Sequence, residues 1–280
     1  MPRSQQTIAN SFSLKGVGLH SGQLASVTIH PAPVDSGRYF VINNCVIPAQ
    51  WYSVSSTQLS TELGKDHQTV RMVEHLLAAL VGMGIDNVRI EIDQSELPIL
   101  DGSALPWVEA ISGSGITIQS GIAQELRAIT TPVSIYKGDS FVMAIPSDRL
   151  RFSYGIEFSS QAINQQWFSW CPNMENFMTE FCQEVAPART FTMAKDVEYL
   201  RSQGLIKGGS LENAIVCDDQ KWLNPPLRFE NEPCRHKLLD LIGDLSLLGW
   251  LPLAHIIAFK ASHSLHTQFA QALAENHNLT

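Results

Sequence analysis

The two halves of this sequence read alike, and that repetition constrains its fold more than any other feature. In each half a stretch with strand-like alternation precedes a histidine-bearing apolar helix, a glycine-marked turn and a short apolar strand. Val27 and Ile29 alternate with polar neighbours in LASVTIHPA, and Gly16, Gly18, Gly22 and Gly37 punctuate the turns, so residues 1–60 read as β structure. Thr69 is the expected N-cap of a helix through VRMVEHLLAALVGMG, which Gly82 and Gly84 would end. NVRIEI (87–92) follows as a strand, and a short helix from Leu105 to Ile111 follows the turn residues Asp101-Gly102-Ser103. The second half predicts strands around 129–136, 141–146 and 150–158, then a helix from about Arg235 to Leu248 broken by Gly249 and Pro252. AHIIAFK (254–260) reads as a buried strand, and an amphipathic helix occupies roughly 264–275. The expectation is an internal duplication with its boundary near residues 122–128, giving domains 1–125 and 126–280. Two α+β layers facing each other put the histidine-bearing helices in one seam, a natural place for a site.

Composition excludes some functions. Hydrophobic residues make up 44% and charged residues 16% of the 280, which suits a chain with a sizeable core rather than a disordered one. The formal charge of −8 offers nucleic acid no electrostatic footprint, so an anionic substrate needs locally gathered cations. The five cysteines are scattered, with no C-x-x-C pair, which fits a reducing compartment. MPRSQQTIANSF lacks the apolar core of a secretory signal, and no run approaches the roughly 18 apolar residues of a membrane span. A cytoplasmic protein is expected.

Three groups of residues could carry chemistry. Glu74-His75 lies near the start of the first helix, where neighbours diverge by about 100° and both can border one cleft. His75 could bind a metal while Glu74 takes a proton from metal-bound water. Taken alone, the pair reads first as a partly exposed glutamate beside a packed histidine, since this is not H-E-x-x-H. In RHKLLDLIGDL, His236, Asp240 and Asp244 recur every four residues and project from one stripe. An imidazole and a carboxylate one turn apart can share a metal, and a third ligand from elsewhere would leave a position for water. The alternative is a solvated face, but Leu238, Leu239, Leu241, Ile242 and Leu245 make the helix too apolar to stay exposed. His263, at the end of the strand that precedes it, could act as a general acid if Asp244 keeps it protonated, or be an ordinary loop histidine. His20, His30, His67, His255, His266 and His277 read as packing or surface residues. Gly208-Gly209-Ser210 lacks the lysine of a P-loop and reads as a close-approach turn.

Together, GVGLHSG (16–22), VEHLLAAL (73–80), GIDNVRIEI (84–92), LPILDGSALPWV (97–108), ARTF (188–191), GGSLENAIV (208–216) and RHKLLDLIGDL (235–245) resemble the successive motifs of the UDP-3-O-acyl-N-acetylglucosamine deacetylase family. They occur in its order from about Gly16 to His266. The resemblance implies two similar α+β domains, each a small mixed sheet layered on helices, with the active site in the seam between them. It implies zinc on His75, His236 and Asp240, a ligand set that iron also fits. Glu74 matches the general base, and His263 the charged histidine that holds the oxyanion or protonates the amine. Asp244 matches that histidine's partner, Thr190 a hydroxyl for the tetrahedral intermediate, and Lys237 a cation beside the site. Lys237 and Lys260 would face the diphosphate and Phe158 the nucleotide. Phe191, Gly208 and Gly209 join the substrate-binding set, and an insert around 188–217 would form the acyl passage. The implied substrate is a UDP-linked, acylated N-acetylglucosamine, hydrolysed in the committed step of lipid A biosynthesis by a monomer that makes at most transient contact with a membrane surface. Relatives often carry Asn-His-Pro where this chain has Ser159-Ser160-Gln161, and a lysine at Ser140, so its grip on the nucleotide is expected to differ.

Two rivals share parts of this pattern. A non-haem iron oxygenase also uses two histidines and a carboxylate, but a glutamate next to a ligand favours hydrolysis. An idle glycolipid-binding module would have no need of Glu74, both histidines, Asp240 and His263 together.

Overall fold

The computed structural model describes residues 3–123, 126–224 and 226–276. The expected boundary between positions 125 and 126, and His277, lie outside the described residues. The fold is α+β, with several small sheets and, among the described residues, six helices: α1 (Glu74–Gly82), α2 (Leu105–Ser114), α3 (Phe177–Glu184), α4 (Ala194–Ser202), α5 (Glu232–Leu245) and α6 (His263–Asn276).

The repetition in the sequence reappears as repeated topology. One sheet runs in the order Phe12–Val17, Leu24–Pro31, Val88–Ile92, Arg38–Ile42, Cys45–Pro48. The other runs Val133–Lys137, Ser140–Pro146, Pro252–Phe259, Arg151–Glu157, Gln165–Trp170, with Arg127–Ala128 beside the start of its central strand. In both, the strand that comes last in sequence is central, antiparallel to the second strand and parallel to the third. Parallel neighbours need a long crossover, usually helical. α1 lies in the first crossover and α5 in the corresponding second one, each followed by its central strand and then by a further helix, α2 or α6.

The two crossovers carry different insertions. The first holds a three-stranded sheet of Val54–Ser56, Glu62–Lys65 and Gln68–Arg71. The second holds α3, α4 and the parallel pair Phe191–Met193 and Ile215–Cys217. α1 and α5 pack against each other. They can do so closely because Gly243 has no side chain: a Cβ there would lie 2.1 Å from the Glu74 carbonyl oxygen. Leu76, Leu77, Leu80, Leu238, Leu239, Leu241 and Ile242 are all fully buried, as expected of helices that are apolar on most faces.

Several expectations shift. Thr69 does not cap α1: Gln68–Arg71 is a strand paired with Glu62–Lys65, opposing Thr69 to Gly64. Met72, at φ 64°, turns the chain, and Val73 precedes the helix without a side-chain cap. α1 therefore starts at Glu74. α5 begins at Glu232, before the expected Arg235, with Pro233 in its first turn, where a missing N–H costs nothing. The strand expected at 129–136 starts at Val133, after Pro132, which has no N–H to pair.

Candidate active site

His75 from α1 and His236 and Asp240 from α5 meet in the buried space between the helices, their ligand atoms all within 4.8 Å of one another. His75 Nε2 lies 3.5 Å and His236 Nε2 3.3 Å from Asp240 Oδ1. The rings stand edge to face with centroids 4.9 Å apart. The His236 Nδ1–H donates to the Ala188 carbonyl at 3.0 Å, which leaves Nε2 with its lone pair towards Asp240. Burial lowers the His236 pKa to about 4, against the pull of Asp240, so the ring is neutral. Burial pushes the Asp240 carboxyl up, but Lys237 and His236 outweigh it and hold the group well below the usual carboxylate range. The Lys237 ammonium donates to Asp240 Oδ2 at 2.7 Å. Asp240 Oδ1 is buried with no hydrogen-bond partner among the described residues. A carboxylate oxygen facing an imidazole lone pair is repulsive and unsatisfied unless a cation sits between them. Two imidazole nitrogens and one carboxylate fit a divalent metal ion with a position left for water.

Beside this set lie two groups suited to moving protons. Glu74, the first residue of α1, is 1% exposed, and its Oε2 accepts the Thr61 N–H at 3.0 Å. Burial raises its pKa, with His263 and His75 pulling the other way. His263, the first residue of α6, donates from Nδ1 to Asp244 Oδ2 at 2.9 Å. Its Nε2 lies 3.9 Å from Glu74 Oε1 and 3.9 Å from Asp240 Oδ2. Burial opposes charge on this ring, but Asp244 and Glu74 outweigh burial and lift the pKa to about 9. Asp244, pushed up by burial but held down more strongly by His263, falls to about 2. The site thus pairs a basic carboxylate with an imidazolium donor, the contrast that acid–base chemistry on one substrate requires.

The other expected site residues spread around this centre. The Thr190 N–H donates to the Gly102 carbonyl at 2.8 Å, two residues beyond the carbonyl that orients His236. Phe158 and Phe191 meet edge to face with centroids 5.4 Å apart. Lys260 is not an unengaged cation: it bonds Asp139 at 2.5 Å and Glu157 at 3.4 Å. Gly208 is a close-approach glycine, since a Cβ would come within 2.3 Å of the Gly18 carbonyl oxygen. The substituted turn at 159–161 is tied to the second insertion, with Ser160 Oγ donating to the Asp218 carbonyl at 2.8 Å and the Gln161 N–H to that of Asp219 at 2.7 Å.

Residues 5–275 match the family described as LpxC, UDP-3-O-acyl N-acetylglycosamine deacetylase. The chain belongs to this family. It is 55% identical over 274 residues to the UDP-3-O-acyl-N-acetylglucosamine deacetylase of Trichormus variabilis, spanning 96% of this chain and 98% of that protein. The deacetylase of the same name from Thermosynechococcus vestitus is 53% identical over 276 residues, 97% of this chain and 94% of that one. A probable mitochondrial deacetylase of this name from Arabidopsis thaliana is 45% identical over 290 residues, 97% and 88% of the two chains. Among the described residues, no helix is long and apolar enough to cross a membrane.

The deacetylase site also holds residues that sequence reasoning passed over. Thr61 donates its N–H to Glu74, and its hydroxyl donates to Asp244 Oδ1 at 2.5 Å and lies 3.4 Å from His263 Nδ1. His266, read as a packing residue, lies 2.9 Å through Nδ1 from the Asp244 oxygen that His263 uses, and 3.0 Å through Nε2 from the Tyr154 hydroxyl. His20 is buried with neither ring nitrogen partnered among the described residues. Burial, helped by Arg71, lowers its pKa to about 4. Its loop is held by Glu96, which accepts the His20 and Ser21 N–H groups at 2.7 and 2.8 Å and lies where a Cβ of Gly18 would go. The G-x-G-x-H spacing in GVGLHSG was the available signal for that loop.

Proposed function

We propose that this chain is a zinc-dependent amidohydrolase that removes the acetyl group from UDP-3-O-(3-hydroxyacyl)-N-acetylglucosamine, giving acetate and the free amine, the committed step of lipid A biosynthesis. The relatives' names supply the substrate. The observation that carries the chemistry is the unpartnered Asp240 Oδ1 between two imidazole nitrogens, with a buried carboxylate and an imidazolium alongside.

His75, His236 and Asp240 would hold the ion, which when bound lowers the pKa of a coordinated water to ~7 and polarises the acetamide carbonyl. Glu74 accepts the proton of the attacking water, a role supported by its burial and raised pKa. His263 donates through Nε2 to the developing oxyanion or to the leaving amine, and Asp244 keeps it charged and oriented. Thr190 would add a hydroxyl to the oxyanion's surroundings. Lys237 neutralises Asp240 and, with Lys260, would face the diphosphate, while Phe158 would lie against the nucleotide. The insert would take the acyl chain along Phe191 and α4, which fits the absence of any buried residue on that helix. Gly208 and Gly209 would bring the backbone close to the substrate.

The matching strand orders support two domains, 1–125 and 126–280, with the reaction centre between them. The unpaired cysteines fit a reducing, cytoplasmic setting. We take the protein to act as a monomer.

The deciding assay is acetate release from UDP-3-O-(3-hydroxyacyl)-N-acetylglucosamine by the purified protein, with the mass of the sugar product. Release establishes the activity. A folded, zinc-loaded sample that releases none sinks the reading.

A further inference from the structure

Glu232, the first residue of α5, extends the stripe of His236, Asp240 and Asp244 by one turn towards the start of the helix. It is fully buried. Its Oε1 accepts the Arg189 backbone N–H at 3.0 Å and Arg189 Nε at 2.8 Å. Its Oε2 accepts Arg189 Nη2 at 3.2 Å and the Arg228 backbone N–H at 2.7 Å. Arg189 is thus pinned to the helix by its main chain and its side chain together.

The residues on either side of Arg189 face the reaction centre's own elements. Ala188 supplies the carbonyl that accepts from His236 Nδ1, one turn further along the same stripe of α5. Thr190 has its N–H on the Gly102 carbonyl at 2.8 Å. Residues 187–190 therefore run along α5 as a strap, tied at one turn by Glu232 and at the next by His236. The first half of the chain ties it again: Arg228 donates to the Pro187 carbonyl and to Asp101 Oδ2, each at 2.8 Å. A buried ion pair adds little stability over well-packed apolar residues of the same volume. What apolar packing does not supply is direction, and the bonds that converge on Glu232 fix where the neighbouring carbonyl points.

We propose that Glu232, acting through Arg189, is the positioning residue that holds the Ala188 carbonyl on His236 Nδ1 and so sets how tightly the site binds its metal ion. The inference rests on His75, His236 and Asp240 being the ligands. An imidazole whose Nδ1–H is held by a carbonyl presents Nε2 in one tautomer and one orientation, and loss of such support weakens metal binding about 10–100-fold.

The test is zinc affinity by competition with a chelator, measured on folded apo protein well below its unfolding temperature. Glu232→Gln sets an amide NH₂ against two of the N–H donors and should weaken zinc about 10–100-fold. It should also shift the visible absorption of the cobalt-substituted protein, whose d–d bands report the angles among the ligands. Arg189→Lys is the milder change, keeping the backbone N–H and the charge but not the fork, and should weaken zinc about tenfold. It decides the matter if Glu232→Gln folds poorly. A pair that only stabilises the fold would lower the unfolding temperature and leave zinc affinity and the cobalt bands as in the wild type, and that result overturns the proposal. A wild type that takes up no zinc overturns the choice of ligands and this inference with it. Zinc binding that weakens as expected in a protein that releases no acetate upholds the inference and removes the deacetylase reading.

Discussion

Gly243 of α5 lies directly beneath the Glu74 carbonyl of α1, with room for a hydrogen and nothing larger. A methyl group at that position must push the two helices apart. His75 is on one helix and Asp240 on the other, so the ligand distances open with them. Gly243→Ala is therefore expected to destabilise the fold by about 1–3 kcal/mol and to weaken metal binding about tenfold or more. Thermal unfolding and metal titration check this; an alanine variant with wild-type metal affinity would show that the helix spacing does not set the site.

Glu74→Ala should keep the metal and lose most of the activity, by about 10²–10⁴-fold, because the base is removed while His75, His236 and Asp240 stay. Metal content by elemental analysis and acetate release on the same sample make the comparison. Unchanged turnover would remove Glu74 from its proposed role.

The pH profile of kcat/KM should be bell-shaped. Its acid limb belongs to Glu74, raised by burial above the ordinary carboxylate value, and its alkaline limb to His263, near pH 9. His263→Gln should flatten the alkaline limb as well as lower the rate. Stability follows the same group: a folded pKa raised from 6.5 to about 9 gives a contribution that is complete below 6.5 and is lost as the pH rises through about 9. Denaturant unfolding of the wild type and the glutamine variant across that interval tests the sign.

Thr61→Val deletes the hydroxyl bonded to Asp244 and leaves the N–H bonded to Glu74. A loss of about tenfold in kcat with little change in KM is expected, with recovery in Thr61→Ser. An equal loss in the serine variant would point to packing rather than to the hydrogen bond.

Much of the centre was legible because helical spacing is local. His236, Asp240 and Asp244 fall on one stripe whatever the rest of the chain does, and a helix so apolar around them had to be buried. Glu74 and His75 were visible on similar grounds. Thr69 resembles a cap for α1, yet its backbone is claimed by pairing with Glu62–Lys65, a contact no local pattern announces. Thr61, His20 and His266 owe their positions to neighbours far away in sequence. Thr61 reaches Asp244 across 183 residues, and His20 becomes buried only when its loop closes on Glu96. The duplicated topology was legible as a rhythm of strands and helices. The central place of the last strand in each sheet was not, because register between distant strands leaves no mark on either one.

That shared topology has a consequence for control. Each copy of the strand-and-helix unit holds only part of the proposed metal-binding set, one histidine in α1 against a histidine and an aspartate in α5. The geometry of that set therefore depends on how the two copies are docked. With the ion held as proposed, rocking one layer against the other would change the distances among His75, His236 and Asp240 while leaving each layer's own core packed.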